Sequence, residues 1–365
     1  MDGTPVEEID QWERARELYI RAAKLAGERL YDDAISAARE CIDLLRGLEA
    51  SDSQMAASLA NLSVYLSSTG EVDSAFRCAE DAAAIYRQIV AGQANSLIQR
   101  ANLAACLSNA GGYLLKLARF ARAVKPMQEA LKIRRELAQQ DPDSYLPDLA
   151  ISLNNLAPVL CGLNRASEAL PLVQEAVAIR RDLTAADWQR YGIFLIRSLE
   201  NLITVFSDLD RPDEALVTAQ EVVILSREIE ATDPDRHGTV LAGALERQCA
   251  ALVTVHRPAD ALPLAQEAVR IRRHLASQQP GRHRPALAMS LSNLGATFWK
   301  ADQSEDALAP AQEAVTLYRE LSEANPGQYV SELARCLNNL GSILAELDRP
   351  QEGSARRRGS GSAAT

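Results

Sequence analysis

The chain has little of what most enzyme sites, metal centres and disulfide frameworks are built from. Only 5% of its residues are aromatic, it has four histidines, and its six cysteines include no Cys-x-x-Cys pair. Isolated cysteines indicate small thiols in a reducing compartment, and scattered histidines do not converge on a metal. There is no Walker A, GxSxG or HExxH motif, so no catalytic group, cofactor or metal is expected.

A surplus of positive charge and a long apolar run are also missing. The formal net charge is −10, whereas phosphate binding needs a basic face, so nucleic acid is not expected as the main partner. No run approaches the roughly 18–20 apolar residues that span a membrane. The stretch from Met1 to Gln11 is too polar for a secretory signal. We therefore predict a soluble cytoplasmic protein that does not bind a membrane.

The chain does contain an internal repeat, marked by an alanine that recurs in a similar context. Five of these alanines follow one another at steps of 46 residues: Ala123, Ala169, Ala215, Ala261 and Ala307. Two earlier copies, Ala34 and Ala75, precede them at steps of 41 and 48 residues. A fixed period of this size indicates stacked supersecondary units.

Each unit is predicted to contain two helices, A and B. Upstream of the alanine, one position is always leucine: Leu59, Leu107, Leu153, Leu199, Leu245, Leu291 and Leu337. A second, mostly apolar position follows three residues later, and apolar residues at this spacing mark the buried face of helix A. A short polar break such as GLNRAS then precedes helix B, as in EALPLVQEAVAIRRDL.

The L-x-x-L-G pattern of helix A, with Gly295 and Gly341 after Leu294 and Leu340, and the small residue that opens helix B resemble the tetratricopeptide repeat. The resemblance covers roughly residues 30–350 and implies an all-α fold, an α-α superhelical solenoid. The standard repeat has 34 residues, so the extra residues are expected to lengthen helix B and the next helix A. This long-period form resembles the repeats of kinesin light chains and of many bacterial signalling proteins. HEAT and armadillo repeats, which have similar periods, are the alternative.

The predicted domain organisation has three parts. Residues 1–30 form an N-terminal capping helix region, residues 31–347 form about seven repeats plus a final helix A, and residues 348–365 form a disordered Gly/Ser/Arg tail. Helix B of the eighth unit is missing from this prediction. Leu337, Leu340 and Leu344 would then be only partly covered, which invites self-association through the C-terminal end.

A row of asparagines is the main candidate binding site. The position before the second helix A leucine holds, in repeat order, Asn61, Asn109, Asn155, Asn201, Arg247, Asn293 and Asn339. Asparagine is a mediocre helix residue, so its recurrence needs a reason. The family resemblance implies that this position faces a concave groove, where the amide can donate to and accept from a peptide backbone. The alternative is that these amides hold a neighbouring helix or turn.

Two arginines lie one helical turn before members of this row. Arg197 and Arg335 precede Asn201 and Asn339 by four residues and so share their helix face. With Arg247 they could bind a carboxylate through charge-assisted hydrogen bonds. The alternative is that these arginines are solvated or paired with nearby glutamates.

Two complete charged rows lie on helix B. The basic row is Arg46, Arg87, Arg135, Arg181, Arg227, Arg273 and Arg319. The acidic row is Glu40, Asp81, Glu129, Glu175, Glu221, Glu267 and Glu313. Their spacing of six residues does not place them on one helix face, so pairing between neighbouring helices is predicted. A basic stripe for an anionic partner is the alternative.

These observations favour a non-catalytic protein-protein interaction scaffold that binds a peptide or partner segment in its groove. The alternative is a regulatory or sensor subunit that acts in trans on a signalling NTPase, a protease or a transcription regulator, with a peptide-pheromone receptor as a variant. An enzyme is the least favoured class. Nothing in these residues identifies the partner.

Overall fold

The computed structural model describes residues 6–48, 51–92 and 96–348, and nearly all of these are helical. The described residues contain fifteen helices and no strand. Their internal contacts divide the chain into two compact units, Met1–Ala186 and Asp187–Thr365. The predicted all-α repeat fold is therefore confirmed, and the two units are described in turn.

The first unit contains four helical hairpins. Its helices are α1 (Val6–Gly27), α2 (Tyr31–Gly47), α3 (Asp52–Ser68), α4 (Val72–Gly92), α5 (Leu97–Lys116), α6 (Phe120–Gln140), α7 (Pro142–Cys161) and α8 (Ala166–Ala186). Each helix packs against the next one in the chain. The odd-numbered helices also contact each other in succession. From α3 onward they are the predicted A helices, and α1 packs against α2 as an A helix packs against its B helix.

The second unit contains three hairpins and a final A helix. Its helices are α9 (Trp188–Asp208), α10 (Pro212–Glu230), α11 (Pro234–Thr254), α12 (Pro258–Gln278), α13 (Pro280–Lys300), α14 (Ser304–Ala324) and α15 (Val330–Asp348). Each helix packs against the next, and α13 also contacts α11 and α15. Helices α5 to α14 are 19–21 residues long. Lengthened helices A and B therefore account for the long period, as predicted.

The two apolar positions that define the repeat form the core of each hairpin. The exposed fraction is zero for the helix A leucines Leu153, Leu199, Leu245 and Leu291. It is also zero for the helix B alanines Ala75, Ala123, Ala169, Ala261 and Ala307. A methyl group at this point of helix B lets the A helix approach closely, while the leucine fills the space beside it. The sequence pattern therefore predicts the core correctly.

The A helices α5, α7, α9, α11 and α13 end in the same turn, which contains one residue with left-handed φ. In five successive hairpins φ is between 53° and 59° at Ala118, Asn164, Asp210, His256 and Asp302. The N–H group of the next residue donates to the carbonyl five residues earlier, as from Arg165 to Leu160 at 2.9 Å. This bond is typical of the Schellman motif that ends helices. The polar breaks in the sequence thus stop helix A and reverse the chain.

The charged rows on the B helices form ion pairs between successive repeats. Arg87 on α4 donates twice to the Glu129 carboxylate on α6, at 2.8 Å each, and this hydrogen bonding lowers the pKa of Glu129. The same pairing joins Arg135 to Glu175, Arg227 to Glu267 and Arg273 to Glu313. The predicted inter-repeat pairing is confirmed for these four pairs. Each contributes little stability because its side chains are partly exposed.

The first members of the charged rows pair differently. Arg46 contacts Asp43 on its own helix at 3.2 Å, and Glu40 accepts from Arg14 on α1 at 3.0 Å. Helix α1 thus supplies the cation that a preceding B helix supplies elsewhere.

Two parts of the predicted domain organisation stay predictions. The capping role of residues 1–30 is one of them. The disordered tail at 348–365 is the other, and it lies outside the described residues apart from the backbone of Asp348, where α15 ends. Among the described helices, none combines the length and apolarity needed to cross a membrane.

Candidate peptide-binding face

The asparagine row lies on successive A helices at an equivalent position of each. In the first unit Asn61, Asn109 and Asn155 lie on α3, α5 and α7, and in the second unit Asn201, Asn293 and Asn339 lie on α9, α13 and α15. All six side chains are half-buried. Each follows the core leucine by two residues, so the same packing that buries the leucine orients the amide. In each unit we call these residues, with Arg247 on α11 in the second unit, the A-helix face.

Most of these amides have no partner among the residues that the structure describes. Across the described ranges, no hydrogen bond reaches the side chains of Asn61, Asn109, Asn155, Asn293 or Asn339. Asn201 differs because it does interact with another residue. A half-buried amide with free donor and acceptor groups can exchange water for a ligand without breaking an internal bond.

The three arginines assigned to this face, Arg197, Arg247 and Arg335, have different environments. Arg247 Nε donates to Glu200 Oε1 at 3.0 Å, so the alternative of a glutamate-paired arginine holds for this residue. Arg197 and Arg335 are exposed and make no ion pair with any described residue. They lie on α9 and α15, which do not contact each other. The structure therefore does not bring the three arginines together on one anion.

A second arginine position lies one residue before the basic row and is not singled out by the sequence patterns. Arg134, Arg180 and Arg272 are only 4–6% exposed. Their sequence signal is the doubled arginine of IRRE, IRRD and IRRH. One residue later along the helix, the second arginine of each pair belongs to the exposed basic row. A shift of one residue along helix B therefore moves an arginine side chain from the core to the surface.

In the second unit this buried arginine is neutralised by Glu246. Arg272 on α12 donates from Nε and Nη2 to the two carboxylate oxygens on α11, at 3.2 and 3.1 Å. Ser290 on α13 donates to the same carboxylate. The side chains of Arg272 and Glu246 are 6% and 13% exposed. Three consecutive helices are thus tied by one buried ionic network.

The equivalent network in the first unit has no carboxylate. Arg134 on α6 donates to the backbone oxygen of Asp148 at 3.0 Å and to Ser152 Oγ at 2.8 Å. Ser108 occupies the position of Glu246 and lies 3.5 Å from Ser152. Arg134 Nε has no partner among the described residues. Burial lowers the pKa of Arg134, because desolvation disfavours the charged form.

Four of the six cysteines occupy core positions, while Cys78 and Cys161 are half-buried. Cys41, Cys106, Cys249 and Cys336 are buried. Burial raises the pKa of the Cys106 thiol to about 12 and also raises the pKa of Cys249, so both stay protonated at neutral pH and are poor nucleophiles. Within the described part of the chain, no group of three or more His, Cys, Asp or Glu residues could hold a metal ion.

Comparison with protein families identifies the repeat unit. The tetratricopeptide repeat model matches four segments, residues 55–91, 103–143, 149–184 and 287–326. A model described as anaphase-promoting complex subunit 5 matches residues 182–234. No curated protein sequence matches the chain.

Solved structures share the fold at low sequence identity. BtubC (BKLC) from P. vanneervenii is 19% identical, with 70% of this chain and 94% of that one covered and a TM-score of 0.56. The apo form of the quorum sensor NprR from B. thuringiensis is 13% identical over 98% of this chain and 88% of its own, with a TM-score of 0.60. Aspartyl phosphate phosphatase F from Bacillus subtilis is 14% identical, covering 86% and 72%, with a TM-score of 0.58.

These likenesses concern the fold alone. They agree with the helix lengths, the turn geometry, the buried leucine and alanine positions and the family-model matches, and the chain is a tetratricopeptide-repeat protein.

Proposed function

We propose that the chain is a non-catalytic protein-interaction scaffold whose A-helix face binds an extended peptide or partner segment. The observation that carries the proposal is a set of five half-buried asparagines, Asn61, Asn109, Asn155, Asn293 and Asn339, whose amides have no partner among the described residues. An extended backbone presents N–H and C=O groups at every residue, and an amide side chain can satisfy both. Successive A helices repeat this arrangement, so one segment could be held at several residues.

Replacing Asn109 and Asn155 by alanine tests this role. Peptides are first selected from a displayed random library on the intact chain, and their affinity is then measured by calorimetry. The double variant is expected to bind about tenfold or more weakly, because each lost hydrogen bond contributes about 0.5–1.5 kcal/mol. Helicity by circular dichroism should not change, since neither amide has an internal partner.

The matched control replaces two exposed amides on a B helix, Gln128 and Gln139 of α6. This control should bind the selected peptides like the original chain. Equal affinity for all three proteins would contradict the proposal and favour a structural role for the asparagines.

The alternative function is a regulatory or sensor subunit that acts in trans. The quorum sensor NprR is similar to most of this chain, which supports considering a sensor role. The similarity concerns only the fold. Both functions would use the same face. A sensor differs in that ligand binding changes affinity for a second protein, which is a coupling free energy. Measuring the affinity for one partner with and without the selected peptide separates the two classes.

We also propose self-association through α15. Val330, Leu337 and Leu344 are 58%, 40% and 41% exposed, and their seven-residue spacing places them in one apolar stripe along the helix. Two copies of such a stripe can pack against each other as in a coiled coil.

Light scattering over a range of protein concentrations is expected to show dimers that Leu337→Glu abolishes. Ile98→Glu serves as the control, because Ile98 is an exposed apolar residue that stands alone on α5. A monomer at every concentration would rule out association through this stripe.

A further inference from the structure

Positive charge in this chain is concentrated on α6 and the adjoining part of α5. Residues 101–140 contain seven lysines and arginines but only two acids, a formal charge of +5, whereas the whole chain carries −10. All other residues together therefore carry −15. A basic surface confined to one helix of an acidic chain suits a short acidic partner better than a long polyanion.

The first turn of α6 departs from a pattern that five other B helices share. The residue before the repeat's alanine is acidic in α2, α8, α10, α12 and α14, where it is Asp33, Glu168, Glu214, Asp260 and Asp306. The helix dipole favours an acid at this end of a helix. In α6 the same residue is Arg122, and the first turn contains no acid. A cation there opposes the dipole, so the stability of α6 does not explain it.

Three cations on α6 form one exposed patch. Arg122, Lys125 and Lys132 are all exposed and make no ion pair with any described residue. They lie within about 80° of one another around the helix axis, on the side away from the buried Ala123 and Met127. We call these three residues the α6 patch.

Most acids around the α6 patch are already engaged. Each accepts from an arginine of the chain: Glu129 from Arg87, Glu136 from Arg100 and Glu168 from Arg165. Glu80 on α4 differs, since it is exposed and makes no ion pair within the described ranges. Three unpaired cations and one unpaired acid leave a formal charge of +2 at this surface.

Two grooves of about 380 Å³ each flank the α6 patch. The groove between α4 and α6 has Arg122 and Lys125 at its side, and its apolar lining includes Phe76, Leu107 and Leu114. The groove between α6 and α8 has Lys132 at its side, and its apolar lining includes Leu131, Leu160 and Leu172. Each groove falls within the size range of ligand sites. Apolar side chains can therefore be buried directly beside the free cations.

We propose that the α6 patch and its two grooves dock an acidic segment of a partner protein. The carboxylates of the segment pair with Arg122, Lys125 and Lys132, and its apolar side chains enter the grooves. Charge complementarity selects this occupant, because the cations lack acids of their own while the rest of the chain repels a longer polyanion. The surface belongs to a B helix, so the proposal does not depend on the function proposed for the A-helix face.

The probe is a synthetic peptide in which pairs of glutamates alternate with single leucines, titrated into the full chain by calorimetry. It is compared with a copy that has lysine for glutamate, a copy that has serine for leucine, and an oligothymidylate of equal charge. The first peptide is expected to bind about tenfold or more tightly than the other three, and added salt should weaken it. Equal binding of the lysine copy would contradict the role of charge, and equal binding of the serine copy would contradict the role of the grooves. Tighter binding of the oligothymidylate would overturn the choice of a protein segment.

Replacing Arg122, Lys125 and Lys132 together by glutamine is expected to weaken binding of the glutamate-leucine peptide by about tenfold or more, since three ion pairs are lost. The matched control removes the same charge from exposed cations of the second unit that also make no ion pair among the described residues: Arg270→Gln, Lys300→Gln and Arg319→Gln. This control should bind the peptide like the original chain. Equal losses in the two triple variants would mean that net charge alone governs binding, which would overturn the α6 patch as the site.

Arg122→Glu separates binding from folding. It gives α6 the acid that five other B helices have in their first turn, and it gives up the contact of the Arg122 guanidinium with the Phe76 ring, 5.3 Å from the ring centre. We expect the midpoint of thermal unfolding to stay the same or rise while peptide affinity falls. A lower midpoint would assign Arg122 to the fold and remove it from the docking surface.

Two further measurements identify the surface and its occupant. The variant with Asn109→Ala and Asn155→Ala should bind the glutamate-leucine peptide like the original chain. A weaker affinity would place this peptide on the A-helix face and overturn the α6 patch as its site. Light scattering should give the same oligomeric state for the triple α6 variant and the original chain. Dimers lost only in that variant would make a second copy the occupant, against the assignment to a partner protein.

Discussion

Replacing Glu246 by alanine is expected to lower the free energy of unfolding by about 3–5 kcal/mol, because Arg272 would stay behind as a buried cation without its counter-ion. The two side chains are only 13% and 6% exposed, so the stranded cation is poorly solvated. Ser290 would lose its bond to the carboxylate but keep the Ala286 carbonyl as an acceptor, at 3.0 Å. Urea unfolding measures the loss, and amide hydrogen exchange should locate it in α11, α12 and α13.

Glu200→Ala is the matched control, since Glu200 occupies the same position one repeat earlier. Its partner Arg247 is 45% exposed, and losing a surface pair costs about 0–1 kcal/mol. Combining Glu246→Ala with Arg272→Met removes the stranded cation and should restore most of the stability. If Glu246→Ala and Glu200→Ala lower the free energy of unfolding equally, burial of the Glu246–Arg272 pair does not determine its contribution to stability.

The network also explains why identical arginine pairs in the sequence have different environments. Arg134 and Arg272 are equally buried, yet only Arg272 faces a carboxylate, because the A-helix position opposite is serine in one repeat and glutamate in the other. Arg134 relies on a carbonyl and a hydroxyl instead. Equivalent hairpins of the repeat thus hold the buried arginine either by an ion pair, as at Arg272, or by hydrogen bonds to uncharged acceptors, as at Arg134.

Much of the fold could be predicted from the sequence because it follows from spacing alone. The 46-residue period requires long helices, the leucine and alanine positions specify which faces pack, and Asn or Asp in the breaks suits a left-handed turn residue. Pairing between the charged rows could also be predicted, since six residues on one helix cannot bring them together. Each of these conclusions depends on one position being repeated.

The buried arginines could not be predicted in this way. Adjacent helix residues differ by about 100° around the axis, so Arg134 and Arg135 fall on opposite sides of the boundary between core and surface. That boundary is obscured because the same position holds Tyr86 and Tyr318 in other repeats.

For the asparagine row, the sequence could predict the position but not the state of the amides. That five of them lack internal partners follows from the placement of neighbouring helices. Arg247 shows the opposite outcome at the same position, because Glu200 on the preceding A helix reaches it. The A-helix face is therefore uneven, with free amides at most positions and a satisfied ion pair at one.

Leu153→Ala should lower the free energy of unfolding by about 2–5 kcal/mol, the range for a large-to-small change in a rigid core. Leu153 on α7 has no exposed surface, and nearby Ala169 on α8 is too short to fill the space that the leucine side chain leaves. The loss combines the transfer of the missing methyl and methylene groups with the cavity left behind. Urea denaturation followed by circular dichroism measures it.

Leu337→Ala tests whether that loss comes from burial rather than from the leucine itself. Leu337 has the same place in the repeat, but on α15 it is 40% exposed, because no later helix covers it within the described residues. At a concentration where light scattering gives a monomer, this substitution is expected to cost less than half as much as Leu153→Ala, since less apolar surface returns to water. Equal losses at the two positions would mean that Leu337 is covered even in the monomer. A loss at Leu337 that grows at concentrations where dimers form would instead place a neighbouring copy on the Val330, Leu337 and Leu344 stripe.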